Sequence, residues 1–328
     1  MSMVAPLPPT WTAGYPVEVD WPQTGAKDPP GYHEAIWTWG YDPASRVGYY
    51  LYLLHDQQDE TLRQEIITLY LPDGSLLRGA AKGRGSAGRT AAGENLALTC
   101  IAPFQTWETR YRGELTPIAW DAQAPEGQPV PVDLAFTMQA GAPAWNVEGD
   151  WGEARPNMRF HQLYRLTDGE LALGDKRLPL GGATMRGHSR RERDLSKYTG
   201  HVVATALFDS GRAFGMFCFF GQGLNLKNPH GYVVIDGVLH EAILEEIPPI
   251  RRKQRAGEAL RFVLAGAFGR VVVTGETLST TFVVRDEGPQ AGLATSMGIA
   301  RYEWDGEVAY GPIDRCHAAD MIEGLGTP

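Results

Sequence analysis

The sequence predicts an all-β protein built as two tandem antiparallel domains, each a β-barrel or a strongly curved sandwich. Three observations lead there. Short runs of alternating, β-branched or aromatic residues recur along the whole chain, separated by turn signatures such as Pro72-Asp73-Gly74-Ser75, Asp236-Gly237 and Asp305-Gly306. The 39 glycines and 23 prolines are spread through all 328 residues, which suits many turns rather than a few long helices. No long amphipathic helix stands out, and the strand-turn-strand pattern runs twice. It divides the chain into a first β-domain at 1–168, with an irregular N-terminal arm, and a second at 169–328.

Residues 1–30 form the arm, punctuated by Pro6, Pro8, Pro9, Pro22, Pro29 and Pro30. Tyr32 to Tyr41 reads as a strand whose alternation puts Glu34, Ile36 and Thr38 on one face. The turn Asp42-Pro43-Ala44-Ser45 leads into a second strand, Val47 to Leu54, and Glu65 to Leu71 continues the meander. The segment Gly79 to Gly93 is glycine-rich and carries Lys82, Arg84 and Arg89. It lacks the G-x-x-x-x-G-K-[ST] pattern and a following helix, so it reads as a flexible loop and not a phosphate cradle. Further strands are Asn95 to Cys100, Thr106 to Tyr111 and Pro131 to Gln139, with Arg112-Gly113-Glu114 as a turn. Gly141 to Asn157 is irregular. Phe160 to Leu166 alternates and ends at Thr167-Asp168-Gly169, where the domain boundary is placed. The second half repeats the pattern from Arg212 to Phe220 through to Val308 to Arg315.

The totals exclude several classes. A net charge of -9 supplies nothing to release counterions along a phosphate backbone, so no nucleic-acid partner is expected. Cys100, Cys218 and Cys316 are odd in number, far apart and not in metal-ligand spacing; disulfides and zinc are not expected, and a cytoplasmic location is. The N-terminus lacks a basic start followed by an apolar run, so no signal peptide is expected. No apolar run of about 18 residues predicts a membrane span. Nine tryptophans and thirteen tyrosines suit either a β-core or a pocket for a large apolar ligand.

One stretch concentrates polar chemistry. Met185 to Asp194 holds four arginines, His188, Glu192 and Asp194 within ten residues, between two predicted strands. A solvated loop is the ordinary reading of such a run. Arginines at this density also need carboxylate or substrate partners, which places a cavity mouth beside it.

Three pieces of the chain carry a family resemblance. They are His33-Glu34 with its tryptophans and Tyr41-Asp42-Pro43; His161 with Arg186-Gly187-His188-Ser189 and Arg193-Asp194; and Arg301-Tyr302-Glu303, Asp305-Gly306, Tyr310-Gly311 and Asp314. By order and spacing the chain resembles the carotenoid 1,2-hydratase and AttH-like group, which includes fungal kievitone hydratases. The resemblance implies tandem calycin-type (lipocalin-like) barrels with an active site near the domain junction. The family's central motif runs close to R-D-H-S-W-G-x-R. Here its aspartate is Gly187, its tryptophan Arg190 and its glycine Arg191, and the late family glutamate is Asp314. Another carboxylate must then serve, from Glu34, Glu192, Asp194 or Asp314, or the chemistry differs.

The resemblance and the residue types together name His188, Glu34 and Asp314 as catalytic candidates. Arg186, Arg193, His161, Trp37, Trp39 and Tyr310 are the substrate-binding candidates. His188 is either an acid/base or a histidine bridging the domains. Glu34, among tryptophans, is either a proton donor with a raised pKa or an arginine-paired strand residue. Arg186 and Arg193 either orient a substrate oxygen or form structural ion pairs. His161 faces either cavity or core. Ser189 has no G-x-S-x-G elbow, which excludes a serine hydrolase of that kind. The expected function is a cofactor-independent, metal-independent lyase: a hydratase, dehydratase or related eliminating or isomerising enzyme. It would act by general acid/base catalysis on a hydrophobic terpenoid, steroid or aromatic molecule. The alternative is a non-catalytic carrier of such a ligand. A homodimer is left open.

Overall fold

The computed structural model describes residues 9–22, 32–55, 62–147, 158–192, 199–220, 226–288 and 290–325. Among these, helix is confined to single 3-10 turns at Pro9–Thr12, Val17–Asp20 and Ala319–Met321, and the protein is all-β.

The first domain begins with β1 (Tyr32–Asp42), β2 (Val47–His55), β3 (Leu62–Tyr70) and β4 (Leu76–Arg84). Three short or medium strands follow: β5 (Ser86–Ala87), β6 (Thr90–Ala92) and β7 (Leu96–Ala102). Next come β8 (Thr106–Ile118), β9 (Val130–Ala140) and β10 (Trp145–Asn146). The domain ends with β11 (Met158–Leu173), β12 (Lys176–Leu180) and β13 (Ala183–Glu192). Hydrogen bonds run β11-β13-β1-β2-β3-β4-β8, and β9 pairs with both β8 and β11, so the path returns on itself. Its interior is filled by Tyr49, Leu51, Leu98, Trp107, Leu134 and Met138, among others. Each fully buried apolar side chain of this kind contributes about 1.5–3 kcal/mol.

The second domain comprises β14 (Gly200–Leu207), β15 (Ala213–Phe220), β16 (Leu226–Ile235) and β17 (Val238–Glu246). It continues with β18 (Ala259–Gly266), β19 (Gly269–Val284), β20 (Leu293–Trp304) and β21 (Glu307–Ala318). These eight close in chain order into an antiparallel barrel, with β21 pairing back to β14. Val202, Ala204, Phe214, Met216 and Cys218 point into it. The alternate residues Val203, Phe217 and Leu207 point outward and pack on Ala35, Trp37, Trp145 and Met185 of the first domain. The two barrels therefore meet outer face to outer face.

Five sequence expectations are corrected. The boundary expected at 168/169 falls inside β11; hydrogen bonding divides the two sheets between Glu192 and Gly200. The turn-like Thr167-Asp168-Gly169 serves a bulge, with Asp168 at φ 52° and the register to β9 shifting between Thr167 and Glu170. Much of the glycine-rich segment is strand, and its glycines permit close approach: a Cβ on Gly83 would lie 2.1 Å from the Glu94 amide nitrogen. Arg112-Gly113-Glu114 lies within β8 and is not a turn. The charged stretch is not a loop, because Met185 to Glu192 belongs to β13, hydrogen-bonded between β1 and β11.

A candidate active site between the barrels

Side-chain alternation on β1 and β13 builds the floor of a cavity. Residues directly opposite one another across the sheet form two rows. Met185, Trp39, Tyr50, Thr68 and Arg78 make one; His161, Gly187, Trp37, Tyr52 and Ile66 make the other. The barrel supplies the roof by the same rule. Phe217, Val203, Asp314, Met297 and Thr281 lie in register, as do Phe219, His201, Cys316 and Thr295. Except for Gly187, all of these residues line one cavity of about 650 Å³.

Polar side chains interrupt this aromatic enclosure, among them His161, His201 and Asp314. His201 Nε2 lies 2.7 Å from Asp314 Oδ2, with both side chains mostly buried. The His201 ring stacks on Phe217 at 5.9 Å and 18°, which fixes its plane. Asp314 Oδ1 is buried and has no hydrogen-bond partner among the described residues. His161 sits edge-on to Trp37, Trp145 and Phe217, with centroids 5.7, 6.0 and 6.2 Å away. Burial, and then the Arg159 guanidinium, hold its pKa well below the usual histidine value, so it is neutral at pH 7. Its Nε2 and the Trp39 Nε1–H are likewise buried without a partner among the described residues. Each such atom costs about 1–3 kcal/mol. A ligand carrying hydroxyl or carbonyl oxygens would offset that cost.

The sequence candidates divide between two faces. His161, Trp37, Trp39 and Asp314 line the cavity. Glu34, His188 and Arg186 point the other way, into the first barrel, which corrects the expectation that they share the interdomain cavity. The reason is the period of two: Met185 and Arg191 face the cavity, so the even-numbered residues of β13 face inward. Glu34 and His188 do meet, at 3.0 Å, and Arg63 donates to the same carboxylate at 2.8 Å; all three are at most 2% exposed. Arg186 is fully buried, ion-paired with Asp20 of the N-terminal arm, and its guanidinium lies 4.2 Å from the centre of the Trp107 ring. Asp20 also accepts from the Phe104 amide at 2.6 Å and from Trp107 Nε1 at 2.9 Å. Tyr310 packs on Tyr41 at 5.3 Å and is not part of the lining. Arg193 and Asp194 lie outside the described residues, as does the side chain of Glu192. Sequence reasoning missed His201, Arg159, Arg78 and Arg285 in the lining. A signal for His201 existed in the alternation of His201, Val203 and Thr205, but nothing local placed it opposite Asp314.

A family profile described as a domain of unknown function, DUF7064, matches residues 16–318. The chain belongs to the DUF7064 family. No curated protein matches the DUF7064 chain. Among solved structures it is similar to an AttH-like protein from Nitrosomonas europaea, at 12% identity and a TM-score of 0.53, covering 87% of this chain and 91% of that one. It is also similar to kievitone hydratase from Nectria haematococca, at 10% identity and a TM-score of 0.56, covering 94% of both chains. These likenesses show that the DUF7064 chain has the AttH-like fold.

On β13 the DUF7064 protein has a glycine at 187, facing Trp37. A Cβ on Gly187 would lie 2.1 Å from the Trp37 ring, so the indole fills the room that a side chain here would need. An aspartate at this position would have to displace the Trp37 ring. Among the described lining residues of the DUF7064 cavity, the carboxylate is Asp314 on the opposite wall. No group of three or more His, Cys, Asp or Glu side chains among the described residues is placed to share a metal ion. No described helix is long and apolar enough to cross a membrane.

Proposed function

We propose that this protein is a lyase of the hydratase or dehydratase type, acting on a hydrophobic small molecule in the cavity between the barrels. The observation that carries the reading is the His201–Asp314 pair on the wall of an aromatic-lined cavity. A carboxyl and an imidazole sharing one hydrogen bond can hold a proton and pass it to a substrate oxygen. In the dehydrating direction the pair protonates the leaving hydroxyl, the C–O bond breaks, water departs, and the deprotonated partner takes a proton from the adjacent carbon. Hydration is the reverse. The faces of Trp37, Trp39, Tyr50 and Tyr52 suit positive charge developing on carbon. Neutral His161 and the Trp39 Nε1–H suit a substrate oxygen that needs orienting rather than protonating. The structural neighbour named kievitone hydratase supports a lyase-type reaction on this fold.

The test is a panel of hydroxylated terpenoids, steroids and prenylated aromatics, screened by mass spectrometry for gain or loss of one water. Against a converted compound, Asp314→Asn and His201→Asn should each lower kcat by about 10²-fold or more with little change in binding. Unchanged turnover in both variants would remove the pair from the chemistry. Tight binding without conversion across the panel would leave the protein a carrier.

A further inference from the structure

The charge of the cavity opposes the charge of the protein. The chain as a whole carries a net charge of -9. Yet the described residues lining the cavity include Arg78, Arg159, Arg191 and Arg285, no lysine, and a single carboxylate, Asp314, itself engaged by His201. Arg159 and Arg191 have further partners, so the positive potential at the cavity is carried by Arg78 and Arg285. Two of the arginines stand out. Arg78 is half-buried on β4, and Arg285 lies just beyond β19 and is exposed; neither forms an ion pair with a described carboxylate. They come from different domains. Tyr70 joins the domains here: its hydroxyl donates to the Met297 carbonyl at 3.3 Å, and its phenol feels both Arg78 and Asp314.

We infer that the substrate is an amphipathic anion, with an apolar body along the aromatic wall and an anionic oxygen group held by Arg78 and Arg285. The inference rests on the cavity being the functional site, as proposed above. Arginine is suited to this task because its planar fork can bind a carboxylate or phosphate through two hydrogen bonds. The register also sets a length. Arg78 is the last residue of the row Met185, Trp39, Tyr50, Thr68, Arg78, and β4 is three strands from β1. At about 4.8 Å per strand, roughly 14 Å separates the Trp39 backbone from that of Arg78. A medium-length acyl chain or a fused-ring body spans that distance. The anionic head thus sits at one end of the row, and the body runs beneath the roof that carries Asp314 and His201.

The experiment uses the full chain loaded with Nile red, a neutral fluorescent probe, displaced in turn by dodecanoate, dodecyl phosphate and dodecanol. At least one anion should displace the dye at a concentration about tenfold or more below that needed for dodecanol. The better of the two identifies the head group as carboxylate or phosphate. In Arg78→Met with Arg285→Met the preference should fall to within about threefold, while dodecanol displaces as before. Should the double variant lose its native circular dichroism, each single variant should still cut the preference by about threefold. Dodecanol matching both anions, an undiminished preference in the arginine variants, or no binding by any of the probes would each overturn the inference. Because the readout is binding, it is separable from the reading of the reaction: Asp314→Asn, which should lower kcat by about 10²-fold or more, should keep the anion preference. Loss of the preference with the acid/base behaviour intact would refute the anionic substrate alone. Full turnover in Asp314→Asn with the preference retained would refute the acid/base assignment alone.

Discussion

Replacing Asp20 by Asn should cost the first domain about 3–5 kcal/mol and leave the interdomain cavity able to bind. Asp20 and Arg186 are both fully buried and 166 residues apart, and they form an ion pair inside the first barrel. The carboxylate also accepts from the Phe104 amide at 2.6 Å and the Trp107 indole at 2.9 Å, both to Oδ2. An asparagine can keep those two bonds with its carbonyl oxygen. Its amide NH₂ then faces the Arg186 guanidinium, donor against donor. The loss is thus of charge compensation, and an unbalanced buried charge costs about 3–5 kcal/mol. With a urea m-value of about 2 kcal/mol per M, the midpoint should fall by roughly 2 M. Trp107, in contact with both groups, reports the transition by fluorescence. Arg186→Met should cost a similar amount by stranding Asp20. The double replacement Asp20→Leu with Arg186→Met should recover most of the loss, because neither charge is then buried. A midpoint shift below roughly 0.3 M in Asp20→Asn would refute the reasoning. So would Arg186→Met losing ligand binding at native stability, since Arg186 would then be a substrate residue after all.

Three further outcomes are expected. Glu34→Gln should destabilise the first domain by about 3–5 kcal/mol in the same urea assay, because Glu34 bonds both Arg63 and His188 away from the cavity; turnover per folded molecule falling about 10²-fold at unchanged stability would restore it as a catalytic group. Gly187→Ala should lower stability by about 1–3 kcal/mol, read as a lower melting temperature, since its Cβ would meet the Trp37 ring at 2.1 Å; the same change made in a Trp37→Ala background should cost little. Stability should fall as pH drops below about 6.5, because the unfolded chain then binds a proton that buried His161 refuses until its much lower folded pKa is reached. That loss is bounded at about 1.4 kcal/mol per pH unit for one histidine, and a His161→Gln variant with an unchanged slope from pH 7 to 5 would contradict it.

The arrangement gives the two faces of one strand different work. The inward face of β13 carries Arg186 and His188, each held by a carboxylate brought from elsewhere in the chain, Asp20 and Glu34. Its outward face carries Met185 and Arg191 into the cavity. The chain keeps paired, buried charge on the inside and turns the cavity-lining residues outward. The second set is where a ligand has something to gain.

How much of this could be read from the chain follows from which signals are local. Strand period, turn dipeptides and the spread of glycine and proline are local, and they sufficed for an all-β chain with two β-domains in succession. The aromatic pair Trp37 and Trp39, with His161 and Asp314, could be singled out by residue type and by resemblance, and all four line the cavity. Alternation also showed that β1 has two faces. It could not show which face meets the second domain, because a shift of one residue exchanges the faces and only pairing with distant strands sets the register. That is why Glu34 and His188 pointed the wrong way in a reading made from residue types. Partnership was hidden for the same reason. Arg186 finds Asp20 in the arm, and Asp314 finds His201 across 113 residues, by barrel closure rather than by any motif. The glycine-rich run from Gly79 to Gly93 has the composition of a loop; it is largely strand because it pairs with β3 and β7, and at Gly79 and Gly83 the neighbours press so close that a Cβ would collide. Local chemistry determined which residues have something to offer, and closure of the two barrels decided which of them face the same space.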